Sequence, residues 1–133
     1  MQGDGDEMKP RVLIVDDAKF MRMTLRDIFE EAGCEVVGEA SNGEQAIQMY
    51  KEVRPDIVTM DIIMPGMNGV EVVRRIRAIN SRSKILMVSA MGQQELIAES
   101  MEAGACDFIV KPFMREEVLE KVQEILQSYS LVK

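Results

Sequence analysis

The chain has 133 residues, with sixteen Lys and Arg against 23 Asp and Glu, a net charge of −7, two Cys and no His. That length fits one domain whose core needs no metal or disulfide support, and the negative charge argues against nucleic acid or an anionic membrane as the main partner. The lack of His excludes imidazole metal ligands, Ser–His and Cys–His catalytic pairs, and a histidine phosphocarrier.

Residues 1–8 read as a flexible, acidic N-terminal extension without the apolar run of a secretory signal. Arg11 to Val15 is β-rich and ends at Asp16-Asp17. Ala18, Met21, Leu25, Ile28, Phe29 and Ala32 then recur at three- and four-residue spacing, which puts them on one helix face, with Gly33 as the stop. Val36-Val37 is a short second strand, and Ser41-Asn42-Gly43-Glu44 has the spacing of a capping box opening a helix to about Arg54. After Pro55, Ile57 to Met60 is a third strand with Asp61 at its end. A Pro/Gly-rich loop from Ile62 to Gly69 leads into a helix over Val70 to Ile79. Ile85 to Val88 is the fourth strand, Gln93 to Ala103 the fourth helix and Phe108 to Val110 the fifth strand. Val118, Leu119, Val122, Ile125 and Leu126 stripe the last helix. The domain is expected over residues 9–130, with 131–133 as a tail.

Five strands alternating with five helices predict an α/β fold, a parallel sheet covered on both faces. Right-handed crossovers favour a doubly wound order 2-1-3-4-5, with the switch point between strands one and three. The longest stretch free of charged residues is the ten from Ile85 to Gln94, too short for a bilayer span of ~20. The expected compartment is the cytoplasm. There Cys34 and Cys106 are expected as small buried apolar residues rather than as a disulfide.

In an open parallel sheet the ligand crevice lies off the carboxyl ends of the strands. Strand one ends in Asp16 and Asp17, strand three in Asp61, strand four in Ser89 and strand five in Lys111. Two carboxylates about 5 Å apart repel by roughly 3 kcal/mol at an effective dielectric of ~20, so such a cluster needs a cation or must hold a proton. Oxygen donors without His or Cys select a hard ion, Mg2+ above others, whose shell a phosphate oxygen can complete. Lys111 would supply fixed positive charge to a transferring phosphoryl group, Ser89 a hydroxyl, and Asp61 a nucleophile forming an acyl phosphate. Taken singly, each has a plainer reading. Asp16 or Asp17 can cap a helix, Asp61 can be a turn residue, Ser89 a loop residue and Lys111 a solvated charge. The conjunction of four such strand ends favours the chemical reading.

These residues resemble the bacterial response-regulator receiver domains. The matching segments are VLIVDD from Val12 to Asp17, DIVTMDIIMPGMNG from Asp56 to Gly69, VSA from Val88 to Ala90 and FIVKPF from Phe108 to Phe113, in order. DDAKFMRM, GEASNG and SAMGQQ are similar to the stand-alone chemotaxis receivers of the non-enteric type. The resemblance implies a flavodoxin-like (βα)5 fold with Asp61 as phosphoacceptor. Asp16 and Asp17 are then the acidic pair, Asp17 a direct Mg2+ ligand, and the carbonyl of Ile63 a third protein ligand. It also implies Lys111 as the phosphate-binding lysine, joined to Pro112 by a cis bond, with Ser89 as the switch hydroxyl and Phe108 as the switch aromatic.

The implied function is that of a monomeric signalling switch, not an enzyme acting on an external substrate. A CheA-like sensor histidine kinase would be the donor, and a flagellar switch protein or a phosphatase the target of the surface formed by helix four, strand five and helix five. Within signalling, the alternative is a phosphorelay intermediate passing the group to a second histidine protein. A haloacid-dehalogenase phosphatase needs a second Asp where this chain has Ile63. A flavodoxin-like FMN carrier wants a Ser/Thr-rich loop where it has Asp16-Asp17. The twelve Met residues read as core and loop filler, with some adaptable partner surface.

Overall fold

Strand β1 (Arg11–Val15) is apolar on both faces, and its alternate residues enter two different cores. Val12 and Ile14 pack with Leu25, Ile28 and Phe29 of helix α1 (Lys19–Glu31) and with Val118 and Val122 of α5 (Arg115–Val132). Leu13 and Val15 pack on the other side with Ala46 and Tyr50 of α2 (Gly43–Val53) and with Val70, Val73 and Ile76 of α3 (Gly69–Ile79). This period of two places an apolar layer on each side of the sheet, as a strand flanked by helices requires. The computed structural model describes residues 9–132, so the expected extension at 1–8 lies outside the described residues.

The remaining elements are β2 (Glu35–Ala40), β3 (Ile57–Met60), β4 (Lys84–Ser89), α4 (Gln94–Ala103) and β5 (Asp107–Val110). All strand pairs are parallel and the order is β2-β1-β3-β4-β5, the doubly wound, flavodoxin-like arrangement read from the sequence. α5 continues to Val132, into residues 131–133, which were expected as a tail. Among the described residues no helix is long and apolar enough to cross a membrane.

Three local expectations are corrected. β2 spans six residues rather than Val36-Val37 alone; as an edge strand it carries Glu35 and Glu39, which break the apolar run that marks the inner strands. The capping box at α2 lies one residue later than expected. Asn42, not Ser41, caps the helix, its Oδ1 accepting the Gln45 N–H at 2.8 Å, while Gln45 Oε1 accepts the Ser41 N–H at 2.8 Å. Both frames offer a cap residue and an acidic or amide partner three positions on; the Asn42 frame forms, with Gln45 reaching back to the N–H of Ser41, the residue before the cap, rather than to that of Asn42. Both cysteines are free, as expected, but only Cys34 is buried; Cys106 is exposed where the chain enters the edge strand β5.

Candidate functional site

The C-terminal ends of β1, β3 and β5 converge at the switch point. Register explains why: Val15 pairs with Met60, so Asp16 and Asp61, each the next residue, end side by side. The Asp61 N–H donates to the Val15 carbonyl at 3.1 Å, and the Asp16 N–H to the Ala40 carbonyl of β2 at 3.0 Å. Asp16 and Asp61 are buried and Asp17 is exposed, and carboxylate oxygens from all three lie within 4.8 Å of one another.

Lys111 enters from the end of β5. Its Nζ donates to Asp16 Oδ2 at 2.7 Å and to Asp61 Oδ2 at 3.2 Å. Burial pushes the Asp61 carboxyl above its ordinary range, and Asp16 adds to this, while Lys111 and the Ile62 N–H, donating to Asp61 Oδ1 at 2.7 Å, pull it back. Burial would lower the Lys111 ammonium, but hydrogen bonds and charge from Asp16 and Asp61 outweigh it and raise the ammonium. The lysine therefore stays charged, a fixed cation between two buried acids. The bond from Lys111 to Pro112 is cis.

The capping reading of the acidic pair fails here. Ala18 is the N-cap of α1, with no side-chain cap, and Asp16 Oδ1 instead accepts the Ala18 N–H at 2.9 Å in a tight local turn. The Asp17 carboxylate is left at the rim. Hard carboxylate oxygens from three residues, with no sulfur or imidazole among them, fit a Mg2+ ion better than a transition metal.

The Ser89 hydroxyl and the Phe108 N–H hydrogen-bond with their own chain neighbours rather than with Asp16, Asp17 or Asp61. Ser89 is fully buried, and its Oγ accepts the Met91 N–H at 3.2 Å, so the hydroxyl is held within its own loop. Its carbonyl accepts the Lys111 N–H at 2.9 Å, a backbone link to the cluster. Phe108 pairs with Met87 in register and lies half-buried against the core that contains Met60 and Met87. Ile63 follows in the loop after Asp61, with its side chain 55% exposed.

Two residues that frame the site were not singled out in the sequence. Arg22 of α1 donates from Nη1 to the Asp16 carbonyl at 2.7 Å and from Nε to Glu39 Oε1 of β2 at 2.9 Å, tying helix and edge strand to the end of β1. Gly69, the first residue of α3, lies against the Asp61 backbone. The helical period marks Arg22 as off the apolar face, but no sequence signal pairs it with Glu39. Gly69 was legible only as a loop glycine.

Comparison with known proteins bears on the same residues. The model of the response regulator receiver domain matches residues 12–123, which include all of the site residues above. The chemotaxis protein CheY of Thermotoga maritima is 55% identical over 118 residues, 89% of this chain and 98% of the relative. CheY of Bacillus subtilis is 52% identical over 119 residues, 90% and 99%. Among solved structures, a CheX–CheY complex with beryllofluoride and magnesium from Borrelia burgdorferi matches with a TM-score of 0.84 and 37% identity, covering 87% of this chain and 88% of that one. Sequence, strand order and converging strand ends thus agree, and the chain belongs to the response-regulator receiver family.

Proposed function

We propose that this receiver takes a phosphoryl group onto Asp61 from a sensor histidine kinase and relays chemotactic signals in the cytoplasm as a stand-alone switch. The observation that carries the reading is the Lys111 ammonium bridging Asp16 and Asp61 from three separate strands. That arrangement opposes the burial that raises the Asp61 carboxyl and sets a cation where a phosphoryl oxygen would lie. Asp61 Oδ attacks phosphorus in line, the P–N bond of the donor phosphohistidine breaks, and the imidazole leaves and takes a proton. Lys111 moves its hydrogen bonds from the acids toward the incoming oxygens, and positioning supplies most of the acceleration.

Asp16, Asp17, Asp61 and the Ile63 carbonyl would hold Mg2+, which when bound neutralises charge on the phosphoryl oxygens. Ser89 leaves its bond to the Met91 N–H to donate to the new phosphoryl group. Phe108 follows into the space released, and the surface of α4, β5 and α5 is remade for a target, a flagellar switch protein or a phosphatase. The CheY relatives and the CheX-bound neighbour support this choice of pathway. No external substrate is turned over.

The experiment is incubation with acetyl phosphate and Mg2+, followed by intact-mass spectrometry. A heavier adduct is expected in the wild type and none in Asp61→Asn. An adduct that persists in Asp61→Asn, or its absence from the wild type, overturns the assignment. Transfer from a purified CheA-like kinase, measured beside a kinase of another pathway, tests the choice of partner.

A further inference from the structure

At the end of the sheet opposite the acids, a cavity of about 580 Å³ opens where the chain enters β3, β4 and β5, within the size range of small-ligand pockets. Its walls carry three cations, Arg77, Arg82 and Lys84, against one carboxylate, Asp56. That balance runs against a chain of net charge −7. Asp56 is already engaged, accepting the Arg11 N–H at 2.8 Å. Among the described residues none of the three cations has a carboxylate partner: Arg77 donates to the Ser83 carbonyl at 3.0 Å and Lys84 to Ser128 Oγ at 3.3 Å.

Arg77 stands in the last turn of α3, where a cation compensates the helix dipole, and Lys84 ties β4 to Ser128 of α5. Among the described residues the Arg82 side chain has neither kind of engagement; only its backbone N–H is bonded, to Asn80 Oδ1. Arg77 is also held across the cavity by the bare backbone of Gly104, where a Cβ would come within 2.7 Å of its Nε. An independent feature lies in the same wall. Ser83 is only 5% exposed, and its Oγ has no hydrogen-bond partner. A buried hydroxyl without a partner costs about 1–3 kcal/mol, and alanine would remove that cost.

We infer that this cavity is a second anion site, which takes a small phosphate ester through Arg77, Arg82, Lys84 and the Ser83 hydroxyl. Guanidinium groups match phosphate oxygens in pairs, and a hydroxyl supplies a further donor once the anion orders it. The size of the cavity suits a nucleoside mono- or diphosphate rather than a free inorganic ion.

Titration of the full-length protein with inorganic pyrophosphate and then with ADP, in EDTA and followed by amide NMR shifts, tests this. Metal-free buffer keeps these ligands off the acidic end, so failure here leaves the phosphoacceptor reading untouched. Saturable shifts are expected at residues 81–84 and 104–106 and not at Asp16 or Asp61, with ADP binding more tightly than pyrophosphate. Arg82→Glu, an exposed change that leaves acetyl-phosphate labelling intact, should weaken ADP binding by about tenfold or more. Ser83→Ala should weaken it with no loss of melting temperature. Absence of saturation, equal affinity for citrate at matched ionic strength, or undiminished binding by Arg82→Glu overturns the proposal.

Discussion

Gly69 lies so close to Asp61 that a Cβ on the glycine would fall 1.9 Å from the Asp61 carbonyl oxygen and 2.8 Å from its carbonyl carbon. The Gly69 N–H donates to the Ile62 carbonyl at 2.9 Å, so the first turn of α3 is pinned on the backbone that carries the phosphoacceptor candidate. Backbone cannot move aside as a flexible side chain can. Gly69→Ala should therefore cost about 3 kcal/mol or more in urea unfolding. The folded fraction that remains should label more slowly with acetyl phosphate than Gly66→Ala, whose added Cβ meets nothing within 4 Å although its φ of +80° is strained. Equal labelling rates per folded molecule would separate Gly69 from the placement of Asp61.

Metal addition should stabilise the fold. Asp16, Asp17 and Asp61 offer oxygens within 4.8 Å of one another, and an ion that binds only the folded chain adds about 2.7 kcal/mol at a hundredfold excess over its Kd. Melting temperature should rise with Mg2+ and fall back with EDTA. Asp17 is exposed, so Asp17→Ala should melt as the wild type does in EDTA and lose most of the rise with Mg2+. A full rise in the variant would remove Asp17 from the ligand set.

Much of this arrangement was readable before the structure. The inner strands β1, β3 and β4 are short apolar runs, each followed by a polar residue or ending in one. That pattern marked the crevice, because double coverage leaves the strand ends as the place for polar groups, while right-handed crossovers gave the strand order. The edge strand β2 was cut short because Glu35 and Glu39 look like loop residues until Arg22 and Arg26 are seen to meet Glu39. Contacts of this kind join residues thirteen and seventeen positions apart on different elements, and no periodicity encodes them. The crowding of Gly69 against Asp61 is hidden for the same reason. A glycine in a Pro/Gly-rich loop advertises a turn, not a close approach.

Ser89, proposed above as the switch hydroxyl, starts from a hydrogen bond in which its Oγ is the acceptor, so its O–H is left to donate. Its Oγ accepts from the Met91 N–H at 3.2 Å in a fully buried place, so Ser89→Ala loses a bond worth about 1 kcal/mol and leaves that N–H short of a partner. Beryllofluoride with Mg2+ should still bind Ser89→Ala, because Asp61 and Lys111 are unchanged. The ring resonances of Phe108, which wild-type protein should shift on binding, should move by less than half as far. The same shift in both proteins would disconnect Ser89 from Phe108, and no shift in either would remove Phe108 from the switch.

Glu39 links the edge strand to the site and gives stability an acid-sensitive part. Burial pushes its carboxyl up, but hydrogen bonds from Arg26 and Arg22, with their charge, outweigh this and hold it below the ordinary 4.5. The guanidinium contacts are 2.8 Å from Arg26 Nη2 and 2.9 Å from Arg22 Nε. With the folded value below the unfolded one, the unfolded chain binds the proton first as acid is added. The stabilisation is therefore whole above about pH 5 and is lost as pH falls through the folded value. Glu39→Gln should cost about 1–2 kcal/mol at neutral pH, a figure already reduced for partial exposure of the pair. Urea melts from about pH 7 down to pH 3 should show the gap between the two proteins level at first and closing below about pH 4.5. A gap that stays level into acid would mean that the arginines hold Glu39 no better than they hold a neutral amide.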